Sequence, residues 1–213
     1  MYYLVDTNVF LHVIDSNIYS AADLCKRSGN DITITQTILN ELDPGYYRES
    51  EDISSKEVYD AVRNLATGAR GIKNIRLIKL EDIDGAVQEL KKIRKRYYSW
   101  MRDPNYLNEL IRRGDITRED IKKPSFRNKD LGECELLAIA KVSGEYIIVT
   151  NDRGRVFLHP DQNLFDLCAE DSDIDMLTGE EWIKILGLDV TALRPLAGKD
   201  VPECSANTAP RRP

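Results

Sequence analysis

Two short stretches constrain the fold most. Residues 2–6, Tyr-Tyr-Leu-Val-Asp, and residues 146–152, Tyr-Ile-Ile-Val-Thr-Asn-Asp, run aromatic, aliphatic and β-branched without polar alternation until each meets a carboxylate. A strand with one wet face alternates, whereas an unalternated run of this length is a strand covered on both faces, the environment of a parallel sheet. Parallel neighbours need long crossovers, usually helical, and the intervening sequence supplies them.

Asp15-Ser16 can cap a helix reaching about Lys26 before Gly29, with Ile18, Ala21, Ala22, Leu24 and Cys25 as its apolar side. Asp31 to Gln36 alternates as a second strand, and Thr37 to Leu42 reads as a short helix closed by the turn Asp43-Pro44-Gly45. Residues 54–70 are helical in pattern, Ile75 to Leu80 a third strand, and Ile83 to about Met101 a long basic helix. Pro104, Gly114 and Pro124 break the next stretch into short helices at Asn105 to Arg113 and Thr117 to Lys122. Leu131 to Val142 is a helix stopped by Gly144, and its strand follows at once. Asn163 to Cys168 and a helix from Gly179 to Leu186 are the last folded elements, the helix opened by a Thr178/Glu181 capping box. Strand and helix alternate, which predicts an α/β fold with right-handed crossovers and a parallel sheet.

At 213 residues the chain has room for one main domain with its own core. No apolar run approaches the roughly 20 residues of a membrane-spanning helix, and no basic region precedes an apolar stretch at the N-terminus, so a cytoplasmic protein with no membrane contact is expected. Cys25, Cys134, Cys168 and Cys204 are far apart and accompanied by only two histidines, a pattern that provides neither a structural zinc site nor a disulfide framework. His12 and His159 have no partner at ligand spacing and are expected to pack or sit at the surface. Residues 187–213 combine prolines and alanines without an aromatic residue and read as a disordered tail behind a folded region of 1–186.

Net charge is −6, but its distribution is uneven. Of 30 Lys and Arg, 13 fall between Ala86 and Lys129, against 6 of the 36 Asp and Glu, so a basic segment sits on an acidic body. Lys91, Lys92, Arg94, Lys95 and Arg96 run into Tyr97, Tyr98 and Trp100, a mixture suited to gripping a phosphate backbone and stacking bases. Read alone it is an ordinary amphipathic helix with Leu90, Ile93, Tyr97 and Met101 inward. Arg112, Arg113, Lys122, Lys123, Arg127 and Lys129 extend the same surface, and Arg153 and Arg155 follow directly on Asp152.

The two buried strands each deliver an acid, Asp6 and Asp152, at the carboxyl edge of the sheet, where open α/β sheets bind ligands. Carboxylates crowded near a core must be protonated, paired or neutralised by a cation. Asp6 has a simpler reading as a helix cap, and Glu133, near a helix start, as a complement to the macrodipole. The stretch Glu170 to Asp175 has the early spacing of a calcium loop, but Met176 stands where glycine is required and no glutamate closes it.

Asp6-Thr7-Asn8 after the first strand, Glu41 after the second, Gly132-Glu133-Cys134-Glu135 opening an Ala-rich helix and Thr150-Asn151-Asp152 after a later strand, in that order, resemble the PIN-domain nucleases. The resemblance covers about residues 1–45 and 128–186. It implies a three-layer α/β domain with a central parallel sheet flanked by helices, to which this chain adds a basic helical insertion over about 86–129 and a flexible C-terminal tail. It assigns Asp6, Glu41, Glu133 and Asp152 to a catalytic cluster holding Mg2+ or Mn2+, with Thr7, Asn8, Glu135, Thr150 and Asn151 orienting them. Oxygen-only ligands suit those ions, and one or two of them can activate water for in-line attack on phosphorus.

The implied function is a metal-dependent endoribonuclease leaving a 5'-phosphate, of the kind that forms the toxin of a toxin–antitoxin pair. The implied partners are an RNA substrate, an antitoxin protein and a second copy of the chain. The stretch from Asp43 to Leu131 is longer than in compact PIN toxins, which leaves the biological role open. Two alternatives stand beside it: a non-catalytic RNA-binding scaffold of the same fold, and a small-molecule phosphohydrolase with Asp6 as nucleophile. The phosphohydrolase is weakened by Asn8 where such chemistry needs a second Asp. A nucleotide switch lacks its glycine-rich loop.

Overall fold

A computed structural model describes residues 2–15, 19–29, 31–44, 53–69, 74–151, 164–169, 173–191 and 193. The chain is α/β, with a five-stranded parallel sheet. In chain order the strands are β1 (Tyr2–Val5), β2 (Ile32–Thr35), β3 (Arg76–Ile78), β4 (Tyr146–Val149) and β5 (Met176–Leu177), and in space they run β3-β2-β1-β4-β5. The two unalternated runs, β1 and β4, are central and adjacent, with Leu4, Val5, Ile148 and Val149 wholly buried. Val5 lies level with Val149, so Asp6 and Thr150 leave the sheet side by side.

The order of strands places the switch of chain direction at β1, between β2 and β4, where an open parallel sheet leaves its crevice. Before it, helices α1 (Thr7–Asp15), α2 (Ala21–Arg27), α3 (Gln36–Leu42) and α4 (Ile53–Thr67) pack on one another. After it, α5 (Ala86–Tyr97) lies along α8 (Leu131–Ser143), and α8 rests on β2 and β4. This is consistent with a sheet layered between helices.

The first helix differs from the sequence expectation. The pattern favours a start at a cap on Asp15-Ser16, yet α1 begins at Thr7, directly off β1, and residues 16–18 lie outside the described set. Val9, Phe10 and Val13 are fully buried, an i, i+1, i+4 stripe that outweighs the polar Asp-Thr-Asn before it. The Asp6 carbonyl accepts from the N–H of Val9 at 3.2 Å. The next helix takes its cap from Ser20, in a capping box with Asp23.

Between β3 and α8 the chain is mostly helical; the long basic helix and the helix at 117–122 are shorter than the pattern predicts, while the helix expected at 105–113 is present from Pro104. The long basic helix is divided: a 3-10 turn at Leu80–Asp82, α5 starting at left-handed Gly85, and a second 3-10 turn at Ser99–Arg102. α6 (Pro104–Arg113) is capped by Asp103, which accepts from Asn105 and Tyr106, with Pro104 at its first position. The helix expected at 117–122 is only a 3-10 turn at Asp120–Lys122, followed by the single turn α7 (Pro124–Arg127). Buried Trp100 holds this segment together, edge-on to Tyr106 and Phe126 at centroid distances of 5.8 and 6.0 Å, contacts worth about 1 kcal/mol each beyond burial.

α9 (Leu164–Ala169) and α10 (Gly179–Ile185) complete the described fold, the latter opened by the predicted Thr178/Glu181 capping box. β5 is an addition to the expected strands; it pairs beside β4, with Thr150 N–H donating to the Leu177 carbonyl at 3.0 Å. Packing also continues beyond the expected end at 186. Leu188, Val190 and Leu193 lie on the core, and the Tyr19 hydroxyl donates to the Asp189 carbonyl at 2.8 Å. The remainder of the predicted tail lies outside the described residues. No helix among the described residues is long and apolar enough to cross a membrane.

Candidate functional site

Asp6 is 2% exposed at the carboxyl edge of β1. A charge so deep needs donors, and both of its oxygens have them. Oδ1 accepts from the Thr7 N–H at 2.6 Å, while Oδ2 accepts from Asn8 Nδ2 at 2.8 Å and from the Thr150 hydroxyl at 2.7 Å. Three neighbours from the ends of two parallel strands thus set one carboxylate rotamer.

Glu41 reaches the same place from the last turn of α3, which the Thr35 hydroxyl caps at the end of β2 by accepting from Ile38. Its Oε2 accepts from the Thr7 hydroxyl at 3.2 Å, and the Gly132 N–H also bonds its carboxyl. Gly132 is required by this approach: a Cβ there would lie 2.7 Å from Glu41 Oε2 and 2.8 Å from Ile38 Cδ1. Burial first, and then the Asp6 charge, push the Glu41 carboxyl from 4.5 up to about 7, despite the Thr7 and Gly132 bonds that oppose the shift.

Glu133, in the first turn of α8, completes the described cluster. Burial, and then the charges of Asp6 and Asp130, raise it well above the ordinary carboxyl range, with Glu41 adding to the effect. Asp130 was missed by sequence reasoning, where Asn-Lys-Asp looks like a surface turn. It is the one non-glycine with positive φ (51°) among the described residues. Its carboxylate accepts from the Tyr98 hydroxyl at 2.8 Å and from Lys129 at 3.2 Å. Glu135 is 8% exposed and turns toward β2 and α3, accepting from the Thr37 hydroxyl at 2.8 Å.

Asp6, Glu41 and Glu133 are therefore brought together, with Thr7, Asn8 and Thr150 bonded to them, whereas Asp152, Arg153 and Arg155 lie outside the described residues. Among the described residues no three acidic, His or Cys side chains converge closely enough to enclose an ion. The chemistry of the donors nonetheless fits a hard divalent cation. All are carboxylate oxygens, and the burial that raises Glu41 and Glu133, together with the repulsion from Asp6, is what such a cation offsets.

The basic residues divide into two groups. Lys91, Lys95 and Arg96 are exposed on α5, with the Arg96 guanidinium over the Tyr97 ring at 5.1 Å. Lys92 is exposed but pairs with Glu89 at 2.9 Å, and Lys141 of α8 meets the same carboxylate at 3.0 Å. Arg94, expected to contact nucleic acid, is turned inward. It stacks 4.2 Å over the Tyr98 ring, donates to the Arg127 carbonyl at 3.1 Å and also bonds the Lys129 carbonyl. A planar fork of donors finds more partners in that turn than a solvated cation would. Of the extended surface, Lys122 and Lys123 pair with Glu119 and Asp120, Arg112 with Glu109 and Arg113 with Asp115.

No protein-family model, no curated protein and no solved structure matches the chain.

Proposed function

We propose that the chain is a metal-dependent nuclease of the PIN type, acting on RNA. The observation that carries this reading is the approach of half-buried Glu41 and Glu133 to buried Asp6 beside the paired ends of β1 and β4, where burial and then the Asp6 charge hold both glutamate carboxyls above their ordinary range. Together with Asp152, which follows β4 in sequence, they would hold a magnesium or manganese ion. Such an ion, when bound, neutralises the acids and supplies an activated water for attack on a phosphodiester.

The chain's own polar groups do the positioning. Thr7, Asn8 and Thr150 hold the Asp6 carboxylate in one orientation, and Thr7 and Gly132 hold Glu41. Lys91, Lys95 and Arg96 on the outer face of α5 would attract the phosphate backbone that the acidic body repels. A phosphohydrolase using Asp6 as nucleophile is disfavoured, because the residue where that chemistry needs a second Asp is Asn8, whose amide donates to Asp6 Oδ2.

The test is cleavage of labelled single-stranded RNA by the full chain with EDTA, magnesium or manganese, beside Asp6→Asn and Glu133→Gln. The reading expects cutting only with metal, lost in both variants. RNA that is bound but left intact under every metal would overturn it in favour of a non-catalytic RNA-binding protein.

A further inference from the structure

Asn151 is held from three sides, and the available donors and acceptors decide the direction of every bond. The Gly179 N–H, at the start of α10, donates to Asn151 Oδ1 at 2.9 Å. The approach is close: a Cβ at residue 179 would lie 3.0 Å from that oxygen. A backbone N–H only donates, so this side-chain atom is the carbonyl oxygen and the other is the amide nitrogen, which carries donors alone. That nitrogen lies 3.4 Å from Nδ1 of His12. Nδ1 must then be the acceptor, which leaves the proton of the neutral ring on Nε2.

The backbone of Asn151 makes the inward contact. The Asn151 N–H donates to Asn8 Oδ1 at 3.0 Å, which fixes the Asn8 amide so that its Nδ2 donates to Asp6 Oδ2 at 2.8 Å. Asn8 and His12 are four residues apart on α1 and so share a face. One face of α1 therefore grips Asn151 through both its backbone and its side chain.

We infer that His12 is a positioning residue of the acidic site: its Nδ1 accepts from the side-chain amide of Asn151 and so holds the residue whose backbone N–H donates to Asn8, the amide that in turn donates to the Asp6 carboxylate. The same contact holds the residue directly before Asp152. A histidine present only for packing would be indifferent to which ring nitrogen carries the proton. The inference rests on the nuclease reading for its consequence, but its geometry can be tested without a substrate.

The experiment combines NMR of the full chain with two variants. The chain has only two histidines, so His12→Asn identifies the His12 ring by the signals it removes. The wild-type ring is expected to show an unprotonated Nδ1 and a proton on Nε2. Asn at residue 12 puts an amide oxygen where Nδ1 stood, whereas His12→Leu offers no acceptor. Loss of a direct partner of a metal ligand costs about 10- to 100-fold in activity; His12 acts at a remove, through Asn151 and Asn8, so His12→Leu is expected at the low end, about 10-fold in kcat with KM unchanged, and His12→Asn within about threefold of wild type.

Should His12→Leu fail to fold, His12→Gln takes its place, because its amide mimics Nε2 rather than Nδ1. A proton on Nδ1 overturns the inference. So does a Leu variant as active as wild type, or an Asn variant as impaired as Leu. A wild type that cuts no RNA overturns the nuclease reading, and the state of Nδ1 then still decides the contact.

Discussion

Ionising Glu41 works against the fold, and the size of that effect follows from its surroundings. Its carboxyl stands at about 7 instead of 4.5 because it is buried and faces Asp6. A folded state with the higher pKa binds the proton more tightly than the unfolded chain does. The resulting stabilisation is complete below the unfolded value near 4.5 and is lost as pH rises through about 7. At about 1.36 kcal/mol per pH unit the difference sets an upper bound of about 3.4 kcal/mol. Glu41 keeps part of its surface in solvent, and about 2 kcal/mol is the expectation after screening.

About three-quarters of that loss falls between pH 5 and pH 8, which for a chain of this size corresponds to a fall in Tm of about 3 to 6 °C in EDTA. Glu133 acts in the same direction. Glu41→Gln keeps an acceptor for the Thr7 hydroxyl and removes the charge, so it should flatten the profile and exceed wild type in Tm at pH 8 but not at pH 5. Manganese should restore the wild type at pH 8, have little effect at pH 5, and act more weakly on the variant. Differential scanning calorimetry at the two pH values measures all of this. A Gln variant that is less stable than wild type at pH 8 without metal would refute the reasoning, because the carboxylate would then be satisfied in the fold rather than crowded.

Three further outcomes follow from particular contacts. Gly132→Ala forces a methyl to within 2.7 Å of Glu41 Oε2 and should cost about 1 to 3 kcal/mol of stability, measured by urea unfolding, together with the metal response of Tm. Arg94→Lys cannot span the Arg127 and Lys129 carbonyls while stacking on Tyr98, and should lose about 1 to 3 kcal/mol; an unchanged denaturation midpoint would show the fork to be dispensable. Replacing Lys91 and Lys95 by alanine should leave Tm unchanged but lower the salt slope of RNA binding by about one for each phosphate that is no longer neutralised, read by fluorescence anisotropy at several salt concentrations.

The sheet was legible where burial leaves a compositional mark. β1 and β4 are unalternated because both of their faces are covered, and the same pattern predicted that their ends would meet. β5 carries no such mark: Met176–Leu177 is too short for any period and is defined by its hydrogen bonds to β4. α1 was missed because Asp-Thr-Asn reads equally as strand end, turn or cap, and Asp15-Ser16 offered a more conventional start. At the site, residue type announced Asp6 and the Asn and Thr beside it, but direction was invisible. Charge counting cannot distinguish Arg94, folded onto a turn, from Lys95 in solvent, and nothing local to Asn-Lys-Asp tells that Asp130 is left-handed and meets Tyr98. His12 likewise gains its meaning only from Asn151, far away in sequence.

If the nuclease reading holds, the division of labour on α5 would let an acidic protein present its acidic cluster to a polyanion. Glu89, Arg94 and Tyr98 face inward, and each is tied to α8 or to the turn that begins it, through Lys141, the Arg127 and Lys129 carbonyls, and Asp130. Lys91, Lys95 and Arg96 of the same helix are exposed. The same helix thus fixes the start of α8, where Gly132 and Glu133 meet Glu41 and Asp6, and carries cations at a set distance from them. On the proposed nuclease reading, cations on a helix packed along α8 would place a bound phosphate backbone more narrowly than charges on a separate flexible arm. On that reading the long segment between β3 and α8 would have a role that its net charge alone does not convey: it would couple where a polyanion is held to how the acids are arranged.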